Sequence, residues 1–176
     1  MFWGKLDLQG ACSFLYFYQG GRVQRLLHAL KYEQQAEAGV WLGKAFGSEL
    51  LWSSFAQCDV LIPVPLHPKK EKQRGYNQCA VIGKAMADEM GLSFRPDILY
   101  RTEHHESQTK KGRYDRWLNV KQRFNIRPEV SMSGMHVLLI DDVVTTGATL
   151  EACAQTLIHQ AGVRVSVATV ACPAPF

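Results

Sequence analysis

The sequence predicts an α/β protein with a mostly parallel central sheet flanked by helices, and three observations carry that prediction. Apolar runs rich in Val, Leu and Ile lie at 59–64 and 135–140 without the polar alternation of a half-wetted strand, as expected of strands covered on both faces. Each run passes through a loop into a helical pattern, at about 76–90 and at 148–161, which is the strand–helix order of parallel units. A further alternating run, Val163 to Val170, reads as the last strand.

The elements follow in order. Ser13 to Tyr18 is an aromatic-rich strand candidate, punctuated by Gly20-Gly21. Val23, Leu26, Leu27 and Leu30 recur at three- and four-residue spacing and predict a helix over 22–32, with Lys31 and Tyr32 near its end. A second helix covers 35–52, with Ala38, Trp41, Leu42, Ala45, Phe46 and Leu50 directed to the core. Its Gly39, Gly43 and Gly47, spaced by four, signal a close helix contact, since each forgoes about 1 kcal/mol of helix propensity relative to Ala. Pro63 and Pro65 lack ladder donors, so strand pairing must lapse near them. In the helix after Gly75, Cys79, Gly83, Met86, Ala87 and Met90 form the inward stripe. A short strand is expected within 92–100. Residues 101–125 are charged and poorly periodic, a length of connection usually reserved for a lid or binding loop. Order resumes between Val120 and Ile126, with Phe124 buried.

Length and composition narrow the classes. A chain of 176 residues, 47% hydrophobic, fits one ordinary domain with a substantial core. Its apolar runs are far too short to cross a bilayer, and Met1-Phe2-Trp3-Gly4-Lys5 lacks the basic start and apolar block of a signal peptide, so a cytoplasmic location without membrane attachment is expected. The five cysteines are odd in number and form no CxxC pair, which argues against a disulfide framework or a cysteine-based zinc site. Cys79 and Cys153 fall on apolar helical faces and are expected in the core. The net charge of +4 is unevenly placed: 101–127 holds eight Lys or Arg against three Asp or Glu, and 69–74 adds another basic cluster. A local basic excess points to an anion site. DNA would also suit such patches, although no helix-turn-helix, zinc finger or RNA-binding signature is present.

The richest stretch runs from Leu138 to Thr149. An apolar strand ends in Asp141 and Asp142, and Val143-Val144 leads into Thr145-Thr146-Gly147-Ala148-Thr149 at a predicted helix start. The first turn of a helix carries unpaired N–H groups and the positive end of its dipole. Those donors and the threonine hydroxyls can hold a phosphate, and Gly147 lets the backbone close around it. The loop has no lysine, so it is not a P-loop, and no GxGxxG marks a dinucleotide site. Asp141 and Asp142 repel phosphate unless a sugar or metal intervenes, so ribose hydroxyls and a Mg²⁺-bound pyrophosphate are the sensible partners. Adjacent strand positions face opposite ways, so unequal roles are expected of the two acids.

Ile140-Asp141-Asp142-Val143-Val144-Thr145-Thr146-Gly147-Ala148-Thr149 resembles the PRPP-binding motif of type I phosphoribosyltransferases. Leu30-Lys31-Tyr32, Ile62-Pro63-Val64-Pro65-Leu66-His67-Pro68 and Arg74-Gly75-Tyr76-Asn77-Gln78 add a narrower likeness to the ComF family, as do Gln108, Arg116, Asn119 and Phe124. The resemblance implies a type I phosphoribosyltransferase-like fold with a flexible hood loop. Residues 1–55 would supply a strand and helices to the hood and flank, 56–176 the core, and about 101–120 the mobile loop. It further implies that Asp141 and Asp142 bind the ribose diol of 5-phosphoribosyl-1-diphosphate (PRPP) and serve catalysis. Thr145, Thr146, Gly147, Ala148 and Thr149 would hold the 5-phosphate, and Pro65, Leu66 and His67 would meet pyrophosphate through the backbone. Arg74 is the residue of 69–74 best suited to phosphate, because its fork is fixed. Lys110 and Lys111 of the hood would add charge over the leaving group. Mg²⁺ would arrive with bound PRPP rather than on direct protein ligands. His104-His105 lacks the spacing of a metal pair, and Trp117 is expected to pack the hood.

Two departures from the family matter. Where purine-salvage relatives carry an aspartate that handles the base proton, this chain has Thr145, a poor base, which leaves the nitrogen acceptor open. The resemblance would also lead one to expect a cysteine-rich zinc segment ahead of Phe2; residues 1–176 contain none, and the expectation is that it is either removed or naturally absent. The activity implied is phosphoribosyl transfer with release of pyrophosphate. The alternative is a PRPP-binding or regulatory module for DNA uptake or processing, with nucleic acid or a DNA-processing protein as partner.

Overall fold

The computed structural model describes residues 6–33, 35–102, 124–128 and 131–175. Seven strands occur among them: β1 (Leu8–Phe17), β2 (Val60–Pro63), β3 (Ser93–Phe94), β4 (Leu99–Arg101), β5 (Phe124–Ile126), β6 (His136–Val143) and β7 (Arg164–Pro173). Five helices accompany them: α1 (Arg22–Tyr32), α2 (Ala36–Leu50), α3 (Pro68–Arg74), α4 (Gln78–Met90) and α5 (Ala148–Ala161), with a 3₁₀ turn at Ser54–Gln57. Five strands form one parallel sheet in the order β1-β7-β6-β2-β3. β4 and β5 make a separate antiparallel pair. No helix among the described residues is long and apolar enough to cross a membrane.

The strand period sorts the core into two layers. On β6, Val137 and Leu139 join Leu150, Cys153 and Leu157 of α5, while Leu138 and Ile140 join Phe46 of α2 and Met86 of α4. A third cluster sets Leu27 and Leu30 of α1 against Leu42 and Ile82. Several elements differ from expectation. β1 starts at Leu8 rather than Ser13, because its half-buried positions include Gly10 and Cys12, too small to register as an apolar alternation. The basic cluster after His67 forms a helix of its own, α3, with Pro68 at its first position and Gly75 at its end. β6 continues through the acid pair to Val143.

Helix α2 turns its glycine stripe to α4. A methyl group at Gly43 would run into the Ile82 carbonyl and lie 2.9 Å from Ala85 Cβ, and one at Gly47 would lie 2.9 Å from Glu89 Cβ. That stripe fixes which face of α2 is inward, and Trp41, expected in the core, is instead 66% exposed on the far side. Gly39 is less confined, its nearest neighbours being side-chain methyls of Leu30 and Val81 at 3.2 Å. Gly43→Ala is therefore expected to destabilise the fold by about 1–3 kcal/mol through backbone overlap, lowering Tm by several degrees. Gly39→Ala should cost less, because side chains give way more readily than a carbonyl. Thermal melts of the two variants check the order.

Candidate functional site

Two strands in the middle of the sheet run outward to opposite sides, β2 towards β3 and β6 towards β7, so a crevice opens at their carboxyl ends. Pairing of β2 with β6 ends at Pro63 and Ile140, and only the Val64 N–H still reaches the Ile140 carbonyl, at 2.9 Å. Beyond that point the two exits part. The chain after β2 supplies Val64, Pro65 and Leu66, and the chain after β6 supplies Asp141, Asp142, Thr145 and Thr149, to the walls of one cavity of about 650 Å³. Arg74 lines the same cavity.

The acids do not face apart as simple alternation predicts. Each carboxylate folds back on the next backbone N–H: Asp141 Oδ1 accepts from Asp142 at 2.9 Å, and Asp142 Oδ1 from Val143 at 2.7 Å. Both then reach successive residues in the first turn of α4. Cys79 Sγ donates to Asp141 Oδ1 at 3.3 Å, and Gln78 Nε2 donates to Asp142 Oδ2 at 3.1 Å. Asn77 makes that turn available, since its Oδ1 caps the Cys79 N–H at 3.0 Å and its Nδ2 holds the Val64 carbonyl at 3.1 Å. The surroundings of the two acids nevertheless differ. Asp142 is 7% exposed and ion-paired with Lys31 Nζ at 2.7 Å. Asp141 is half-buried, and burial, then the charge of Asp142, push its carboxyl up to about 7. Cys79 is fully buried and its thiol is raised well above the usual range, first by burial and then by the two carboxylates, so it stays a donor.

Between Thr145 and Thr149, which line the cavity, Thr146, Gly147 and Ala148 do not; Gly147 adopts φ +78° and opens α5, a conformation that a side chain would strain. The first intrahelical bond runs from the Glu151 N–H to the Gly147 carbonyl, at 2.8 Å. Thr145, Thr146, Ala148 and Thr149 are exposed, and Gly147 is buried. Thr146 Oγ1 lies 3.4 Å from the Ala148 N–H, too long for a firm cap.

The remaining predicted residues are placed as follows. His67 is the N-cap of α3: its ring accepts from the Lys69 N–H at 3.2 Å, and it does not line the cavity. Arg74 donates to Gln78 Oε1 at 2.9 Å and lies 5.2 Å from the centre of the Tyr32 ring. Lys110 and Lys111 lie outside the described residues, as do His104, His105, Gln108, Arg116, Trp117 and Asn119. Cys79, expected as plain core, is a hydrogen-bond donor in the site, while Cys153 is core as expected. Sequence reasoning did not select Gln78 or Asn77, although both stand within the Arg74–Gln78 stretch that resembles the family.

Cys79, Asp141 and Asp142 offer three donor atoms within 4.8 Å of one another, a spacing that could take a cation. Mg²⁺ fits this set poorly when held directly. It demands hard oxygen ligands, one of the three is a thiol, and Asp142 Oδ2 is already engaged by an ammonium group.

A parallel sheet that carries paired acids and a threonine-glycine helix start at one crevice defines a class. The chain belongs to the phosphoribosyl transferase domain family, whose model matches residues 77–174, more than half its length. Among individual proteins it is similar to the DNA utilization protein YhgH of Salmonella typhi, with 28% identity over 151 residues, covering 81% of this chain and 63% of that protein. It is also similar to the competence protein ComFC of Bacillus subtilis, with 33% identity over 108 residues, 57% of this chain and 39% of the relative. The chain therefore spans less than two thirds of the length of these curated relatives. Similar solved structures include the glutamine PRPP amidotransferase of B. subtilis, at TM-score 0.47 and 19% identity over 72% of this chain and 26% of that one. Another is the adenine phosphoribosyltransferase of Leishmania tarentolae, at TM-score 0.48 and 14% identity over 89% and 90%.

The raised Asp141 carboxyl has a measurable sign. Its folded-state value lies above the unfolded one, so its contribution to stability is complete below the ordinary carboxylate range and is lost as pH rises towards about 7. Tm of the free protein should fall between about pH 4 and about pH 7, and Asp141→Asn should flatten that fall and raise Tm above neutrality. Melting curves across the range check this; an unchanged profile in the variant would show that another group titrates.

Proposed function

We propose that the chain is a PRPP-binding module of the type I phosphoribosyltransferase fold that acts in DNA uptake or DNA utilisation. One observation carries the ligand half of this reading: the acid pair, Thr145 and Thr149 at either side of the α5 start, the Pro65-Leu66 loop and Arg74 border a single cavity at the switch point of a parallel sheet. In this reading the first-turn amides of α5 and the Thr145–Thr149 side chains take the 5-phosphate. The acids take ribose hydroxyls, and Pro65, Leu66 and Arg74 face the pyrophosphate. Mg²⁺ brought in with the ligand would offset its phosphate charge near Asp141 and Asp142, without direct ligands from the chain. The names of the similar proteins, a DNA utilization protein and a competence protein, support the process.

A second reading, transfer of the phosphoribosyl group to a nitrogen acceptor, is favoured by the shape of the cavity. It continues past the acids to Gln24, His28 and Tyr32 on α1, where an acceptor could sit. The bond from the anomeric carbon to pyrophosphate would break as the bond to nitrogen forms, and the acceptor would lose a proton to solvent or phosphate. Thr145 offers no base for that proton.

Calorimetry with PRPP and Mg²⁺ tests the ligand, and loss of all heat change at saturating concentrations would sink this reading. Thr146→Ala is expected to weaken binding by about three- to tenfold with Tm nearly unchanged, because its cap contact is already long. A fall in Tm at constant affinity would make Thr146 a cap alone. Titration with single-stranded and duplex DNA, with and without PRPP, separates the two readings. DNA binding that survives the Asp141→Asn, Asp142→Asn double variant favours the DNA module, whereas PRPP-dependent pyrophosphate formation with a nitrogenous acceptor favours transfer.

A further inference from the structure

Besides Gln78 and Cys79 of α4, the acid pair is touched by Lys31, a cation at the end of α1 and beyond the part of the chain that the family model matches. Its ammonium nitrogen lies 2.7 Å from Asp142 Oδ2, and its side chain is 24% exposed. The same oxygen accepts from Gln78 at 3.1 Å, and the other oxygen of Asp142 accepts from the Val143 N–H at 2.7 Å. Asp142 is thus occupied by protein donors on both oxygens. Asp141 is not: Oδ1 takes Cys79 and the Asp142 N–H, and Oδ2 has no partner among the described residues. Asp141 is also the less buried of the two, and both border the cavity.

The contact works on α1 as well. The Tyr76 hydroxyl donates to the Leu30 carbonyl, and Lys31 follows directly, so two consecutive residues tie the end of α1 to the site. Arg74 continues the connection, holding Gln78 on one side and facing the Tyr32 ring on the other. A network in which each member fixes the next is held more firmly than its separate pairs. Removing Lys31 would leave the buried Asp142 charge without its cation, held only by the Gln78 amide and the Val143 N–H.

We propose that Lys31 is a positioning residue of the phosphoribosyl site: by engaging Asp142 it leaves Asp141 as the acid offered to the sugar hydroxyls, and it holds α1 as the cavity's outer wall. This rests on the phosphoribosyl reading above and sharpens it, since the two acids then divide their work instead of sharing the diol.

The test uses the full chain with two probes, ribose 5-phosphate and PRPP with Mg²⁺, measured by calorimetry. Lys31→Met should weaken both by about tenfold, and Lys31→Arg should restore most of the loss because the cation returns. Asp141→Asn should weaken both at least as much. The double variant Lys31→Met with Asp142→Asn should bind no worse than the weaker single one, since both act through one contact. Hydrogen exchange supplies a reading without ligand: the amides of 26–32 should lose protection in Lys31→Met and regain it in Lys31→Arg. If Lys31→Met binds like the wild type while the wild type binds well, the proposal falls and the phosphoribosyl reading stands. The proposal also falls if Met and Arg variants are equally weak, or if α1 keeps its protection in Lys31→Met. If the wild type binds neither compound, the phosphoribosyl reading itself falls, and the assignment of Asp141 to sugar hydroxyls goes with it.

Discussion

The early end of one strand pairing shapes the site. β2 and β6 pair only as far as Pro63 and Ile140, just ahead of Asp141, and their last bond runs from the Val64 N–H to the Ile140 carbonyl. Past that point β6 stays paired with β7 as far as Val143 but has no partner on its β2 edge, and the two exits line one cavity. Asn77 ties the β2 exit to the start of α4, with its amide on the Val64 carbonyl and its side-chain oxygen on the Cys79 N–H. Backbone geometry therefore places the polar side chains first, and their chemistry follows.

Two carboxylates so near the core would be costly if both were charged and bare. The protein meets this differently at each. Asp142 is given a cation and an amide; Asp141 is given a thiol donor and a backbone N–H, and its carboxyl is raised towards neutrality. The result is a pair with one committed member and one adjustable member. The glycine stripe of α2 serves the same end at a distance. By letting α2 approach α4 at backbone contact, it braces the helix whose first turn holds both acids.

Much of this was legible in the sequence. The apolar runs, the helix after each, the glycine spacing of α2 and the two prolines of the β2 exit all express local physics: periodicity, sterics and missing donors. The end of β6 was legible too, because an acid pair followed by a glycine-bearing helix start is a compact and unusual order. What escaped was contact between distant segments. Lys31 stood out by its place at the helix end and in the Leu30-Lys31-Tyr32 stretch, but nothing local pairs it with Asp142, and Cys79 has the period of a core residue because it is one, except at its sulfur. Trp41 misled for a related reason, since hydrophobicity alone pointed it inward while the glycines had already claimed that face. The extent of β1 was hidden by small residues whose burial comes from the neighbouring strand rather than from their own bulk.

The buried thiol at the start of α4 has one more consequence. Only a thiolate attacks alkylating and oxidising reagents at a useful rate, and Cys79, covered and held as S–H, is silent towards them while the site is intact. Cys172, half-exposed on β7, has no such cover. A fluorophore attached at neutral pH would mark the sheet and spare the pocket, and later appearance of label at Cys79 would record the moment α4 lifts away from β6.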